Sequence, residues 1–304
     1  MAMLGPVFVE INLIMMPYSK ALSLFKLEIL CEIIGNLGFC SESRMKNFEQ
    51  DFYRILDLLR KKVPFAFNRF SDGELFIFQN KELILGDNLI KIGNESRGGP
   101  YKKEDHKHFD PNQHSFYRDR LLDAFLFRKD NYFKGISCRC CVGTENLNWQ
   151  LQHLQEPADD QFLTWANLLV NGNYPKFMAE MLPLFASYPT VFICNEKAEL
   201  KNLPYVVKDF RVGYNAMIND YHKIEEIKSW IERNSITGHL FLFSASSYSK
   251  MAIHQLYDKF PLNTYIDVGT TMNAFMNMSI ERVYLGDYWF EKPSPSDMYK
   301  ICVW

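Results

Sequence analysis

At 304 residues the chain is too long for a mini-domain, and it fits one large α/β domain or about two ordinary ones. A hydrophobic fraction of 47% with 23% charged residues excludes a disordered or collagen-like chain. Lys plus Arg number 34 against 36 for Asp plus Glu, a net charge of −2, so no global positive field draws in nucleic acid; a local basic pocket is still allowed.

Residues 1–19 are apolar but broken by Pro6, Glu10 and Pro17, and the first basic residue is Lys20. That is a poor secretory signal and too short for a membrane span. It reads as a docking arm, with a surface-lying peripheral membrane contact as the alternative. Seven cysteines, an odd number without framework spacing, point to a reducing compartment and a cytoplasmic location.

Residues 41–62 carry Met45, Phe48, Phe52, Ile55, Leu56 and Leu59 on one stripe, which predicts an amphipathic helix. Residues 63–70 switch to an extended apolar run opened by Val63-Pro64, as suits the start of a strand. Residues 94–111 are polar and read as a long loop, and 115–128 as a helix. Short apolar strands are then expected at 135–142, 162–170, 190–195, 205–212, 239–244 and 264–268. Helical patterns fall between most of them, at 145–154, 174–185, 220–233 and 249–260. Strands separated by helices imply βαβ units. The expected fold is α/β, a Rossmann-like, doubly wound, mostly parallel sheet with an N-terminal helical arm. The expected division is an arm over 1–62, a catalytic α/β domain over 63–280 and an aromatic tail over 281–304, acting as a wrap or lid.

In an open parallel sheet, ligands bind outside the carboxyl ends of the strands. Asp72 and Glu74, one residue apart on a turn after the first strand, could hold a divalent cation, with Arg69 beside them for phosphate. Ser71-x-x-Glu74 is equally a helix capping box. Residues 244–250, with Ser244, Ser246, Ser247 and Lys250, follow a strand and open a helix, so free amides there favour an anion; a plain capped turn is the competing reading. They lack the glycines of a Walker or dinucleotide loop. Asp267 and Gly269 end the last strand, where an acid could hold a hydroxyl and a glycine admit a ligand, or where the chain merely turns into a helix.

His106-x-His108-x-Asp110, with His114, has the residue types of a metal site but sits among charges typical of a solvated loop. Cys138-x-Cys140-Cys141 reads as buried thiols on a strand, since a zinc site needs a second ligand pair that is missing.

Arg69-Phe70-Ser71-Asp72-Gly73-Glu74 resembles the Arg-Phe-Gly-Asp-Gly-Glu element of the GT-D-fold glycosyltransferases of bacterial protein and surface-glycan glycosylation. Asn215-Ala216 followed by Tyr221, residues 244–250, and Tyr265-Ile266-Asp267-Val268-Gly269 resemble that family's later elements in the same order. Ser71 stands where that family has glycine. The resemblance implies transfer of a hexose from a nucleotide-diphosphate sugar, most simply a UDP-sugar, to a glycan or glycoconjugate acceptor. It implies Mn²⁺ or Mg²⁺ held by Asp72 and Glu74, with Arg69, Asn215, Ser244, Ser246, Ser247, Lys250 and Gly269 around the donor. Glu196 or Asp267 would serve as base. The rival readings are a metal-dependent phosphoesterase or nuclease using the loop histidines, and a non-catalytic nucleotide- or glycan-binding module.

Overall fold

The structure, a computed structural model, describes residues 48–86, 88–98, 106–157 and 160–290. Residues 1–47, the expected arm and the start of the first helix, and residues 291–304 of the tail lie outside them.

Strand alternation decides the layering. In β10 (Leu240–Ser244), Leu240 and Leu242 enter one apolar cluster while Phe241 and Phe243 enter the other. A strand buried on both faces needs helices on both, and this is the parallel-sheet solution. The remaining strands of this sheet are β1 (Ala66–Arg69), β6 (Tyr132–Ile136), β7 (Leu163–Trp165), β8 (Thr190–Asn195), β9 (Val206–Val212) and β11 (Thr264–Asp267). Their order is β7-β6-β1-β11-β10-β8-β9, and every pairing is parallel. The chain therefore winds outward from β1 in one direction and returns to it through β11.

Helix α1 (Phe48–Arg60) buries Phe52, Ile55, Leu56 and Leu59 against one face, realising its predicted stripe. The other face is covered by α2 (Asp72–Phe78), α3 (Ser115–Leu126), α4 (Arg139–Leu154), the turn α5 (Ala216–Asn219), α6 (Lys223–Arg233) and α7 (Ser246–Lys259). Helix α8 (Val283–Phe290) buries Tyr284 and Leu285 in the same cluster as α1, so this part of the tail wraps the domain.

Three local readings need correction. Within the stretch read as a loop over 94–111, residues 95–98 and 107–109 are strands of a second sheet. It consists of β2 (Leu83–Leu85), β3 (Leu89–Ile92), β4 (Glu95–Gly98) and β5 (Lys107–Phe109), antiparallel in the order β4-β3-β2-β5. The strand expected over 135–142 ends at Ile136, and Cys138 instead caps α4, so these cysteines do not lie on a strand. The helix expected over 174–185 is three short pieces, Tyr174–Lys176, Phe177–Met181 and Leu182–Phe185, the middle one a π turn.

Candidate active site

A cleft of about 800 Å³ opens across the carboxyl ends of the large sheet, with the small sheet as its opposite wall. Arg69, Asp72, Glu74, Asn215, Ser244, Ser246, Ser247, Lys250 and Gly269 all line it. Asp267 and Glu196 do not.

The turn after β1 folds as its sequence dictates. Ser71 caps α2 in a reciprocal box, with its amide donating to Glu74 Oε2 at 2.9 Å. The other carboxylate oxygen, Oε1, accepts from Ser247 Oγ at 2.6 Å and lies 3.5 Å from Lys107 Nζ. Burial alone would raise the Glu74 carboxyl, but Lys250, Lys107 and the two hydrogen bonds outweigh it and hold the group down at about 2. Glu74 is therefore an anion, each of whose oxygens already accepts a hydrogen bond. A divalent ion at Oε1 would compete with Ser247 and Lys107, which leaves Asp72 as the open member of the pair expected to clamp a cation. Among the described residues no group of three or more His, Cys, Asp or Glu side chains forms a metal site. That includes the histidines: His106 packs edge-on against Tyr214, and His114 Nδ1 accepts from the Asp110 amide.

Asp72 differs from its neighbour. It is exposed, and among the described residues its Oδ1 accepts from the adjacent Gly73 amide alone, at 3.0 Å. Of the two carboxylates lining the cleft among the described residues, it is the open one.

Lys250 is buried and donates to Asp267 Oδ2 at 2.6 Å, while Asp267 Oδ1 accepts from the Gly269 amide at 3.0 Å. Asp267 is 1% exposed and fully engaged, which removes it as a base. Glu196 is exposed beside Gly213, outside the cleft lining, and is not positioned as a base either.

Arg69 lies at the carboxyl end of β1 and is 7% exposed. Its Nε donates to the Ala166 carbonyl, and its Nη1 packs beneath Gly269, where an added Cβ would come within 2.5 Å. Gly269 has φ +52, so only glycine both adopts the turn and leaves room for the guanidinium. Among the described residues Arg69 forms no ion pair, although the lysines beside it do.

Helix α7 begins at Ser246, a non-glycine residue at φ +52 whose side chain is exposed. Such conformations cost roughly 1–2 kcal/mol. The serine hydroxyls have separate tasks. Ser247 binds Glu74, and Ser249 accepts from the Ala245 amide at 3.1 Å. Asn215, which lines the cleft, also serves structure. Its amide accepts from His108 N at 3.3 Å and donates to His108 O at 2.9 Å, fastening edge strand β5 to α5.

Sequence reasoning missed Lys107, which was read as one solvated charge in a loop. The usable signal was the hairpin pattern before it: alternating Leu83/Leu85 and Ile90/Ile92, then a Gly93-Asn94 turn between β3 and β4. A sheet placed there brings Lys107 to the cleft.

The sequence matches no family model and no curated protein. Three solved structures are similar to it. One is described as a new glycosyltransferase (DUF1792) from Streptococcus sanguinis, at 15% identity and TM-score 0.45, covering 74% of this chain and 81% of that one. In its layout the chain is similar to a glycosyltransferase structure. A second, described as a domain of unknown function 1792, has 11% identity and TM-score 0.45. A third, described as a distinct glycosyltransferase fold, has 12% identity and TM-score 0.44; each of these two covers 84% of this chain and 97% of its own. These are distant likenesses, below the level at which residue roles transfer.

Proposed function

We propose that this chain is a glycosyltransferase, moving a hexose from a nucleotide-diphosphate sugar to a glycan or glycoconjugate acceptor. The observation that carries the reading is Arg69. A guanidinium cannot shed its charge, and burying one without a counter-charge is costly. Held at a parallel strand's carboxyl end and facing a cleft, it is preorganised for an anionic ligand. Its planar fork suits a phosphate, which it can meet with two parallel hydrogen bonds.

The rest of the wall supports a diphosphate. The start of α7 lines the same cleft with Ser246 and Ser247, where a helix beginning favours an anion, while Lys107 and Lys250 stand in the wall with their charges balanced by Glu74 and Asp267. As a glycosyl–phosphate bond breaks, charge accumulates on the leaving oxygens, and fixed cations and amides stabilise it without reorganising. Asp72 is the carboxylate free to accept a proton from the acceptor hydroxyl. The chemistry assigned to the chain's own residues is thus neutralisation by Arg69 and activation by Asp72.

The test replaces Arg69 with methionine, which keeps bulk and removes charge. Sugar transfer, followed by mass spectrometry over a panel of nucleotide sugars, is expected to fall at least about tenfold, with a matching loss of nucleoside-diphosphate affinity. Wild-type affinity in Arg69→Met would refute the reading. Nucleotide binding without transfer from any donor would make the protein a binding module instead.

A further inference from the structure

We propose that Cys138 and Cys141 form a redox-active dithiol on the cleft wall, which a low-molecular-weight disulfide such as oxidised glutathione converts to an intramolecular disulfide. The two Sγ atoms lie 3.4 Å apart, in contact, and a rotation of each side chain brings them to the bonding distance of about 2 Å. They flank the first turn after β6, in which the amides of Cys141 and Val142 both bond to the Cys138 carbonyl, at 3.0 and 3.1 Å. Both residues line the cleft.

The turn is free to adjust. Gly143, at φ +81 and ψ 166, breaks α4 just beyond it, so the body of the helix need not follow when the sulfurs close. The turn is held to the sheet one residue earlier. The Ser137 amide donates to Gln150 Oε1 at 3.0 Å, and the Ser137 hydroxyl donates to the Phe70 carbonyl at 3.2 Å. A bond across residues 138–141 would therefore act beside the segment that carries Arg69 and Asp72.

Exposure fixes the order of events. Cys141 is exposed and Cys138 is 1% exposed, so an external disulfide reaches Cys141 first. The Cys141 thiolate attacks one sulfur of the reagent, forming a mixed disulfide and expelling one thiolate. Cys138, already in contact, then attacks the Cys141 sulfur and expels the second. Two protein thiols are oxidised, the reagent's disulfide is reduced to two thiols, and the two thiol protons pass to the departing thiolates. Cys194 provides an internal contrast. It is buried, burial pushes its thiol up to about 11, and it has no access to reagent.

Arg139 lies between the two cysteines, so trypsin separates them into different peptides. The native protein is treated with oxidised glutathione, quenched in acid, alkylated without reduction and digested. The peptide of residues 135–139 is expected disulfide-linked to the peptide that begins at residue 140. That link is expected to vanish in Cys141→Ser and survive in Cys140→Ser. In the reduced wild-type protein, iodoacetamide is expected to modify Cys141 before Cys138, a readout that needs no variant to fold. A link that survives Cys141→Ser, Cys141 held only as a stable mixed disulfide with glutathione, or thiols unchanged by the reagent would each overturn the proposal.

Discussion

Glu74 shows how one side chain can satisfy two sequence readings. Its spacing from Ser71 marks a capping box, and its spacing from Asp72 marks a metal pair; the same residue types serve both. Only burial and the lysine beside it decide, and neither is visible in the sequence. Its carboxyl is held near 2 against an ordinary 4.5, so its stabilisation is complete above about pH 4.5 and is lost as pH falls toward 2. The loss is on the order of 3 kcal/mol. Denaturant unfolding of wild type and Glu74→Gln at a series of pH values measures it. The variant is expected to be less stable at neutral pH, and the gap to close through that acid window. A gap that stays constant down to pH 2 would show that Glu74 is not held by its lysines. Lys107 is the converse case. A lysine among other charges reads as solvated until the strand that carries it is recognised, whereas the position of Arg69 and Gly269 at the cleft was legible because both follow or end strands of the parallel sheet.

At the scale of elements, the large sheet was readable because its strands are apolar runs and most of its helices are long enough to show their period. The small sheet was not. Its strands are three or four residues long, and β4 and β5 carry polar side chains, so composition argued for a loop. β5 is an edge strand, and the Asn215 side chain occupies the backbone groups of His108 that such an edge leaves open. Asn215 itself sits at φ +51, a conformation that glycine also accepts. Asn215→Gly therefore removes the fastening without straining the turn. A cost of about 1–2 kcal/mol is expected. The His108 amide should also exchange measurably faster in a hydrogen-exchange experiment. Unchanged exchange at His108 would mean that β5 is held by its sheet partners alone.

For the whole molecule, the cleft combines a large parallel sheet and a small antiparallel one, with fixed positive groups supplied by both. Among the described residues, no helix is long and apolar enough to cross a membrane. If Arg69 and the start of α7 supply the counter-charge to a diphosphate, nucleotide binding follows from the folded chain itself. A nucleoside diphosphate at a hundredfold excess over its Kd is then expected to stabilise the protein by about 2.7 kcal/mol. Thermal unfolding with and without a chelator checks this, and the shift should persist when the chelator is present. A shift seen only with added Mn²⁺ or Mg²⁺ would return the leaving-group role to a cation.

The strand that bears Arg69 is laid between β6 and β11, and the glycine that shelters its guanidinium follows β11, much later in the sequence. On the ribosome β1 emerges before its neighbours, yet one of its edges stays open until β11 has been made. A nascent chain must keep that open edge from pairing elsewhere during this delay, and a product truncated before β11 would leave it permanently uncovered. Premature termination would therefore yield a species prone to aggregate, so loss of even the last βαβ unit should remove the protein rather than leave a weakened version of it.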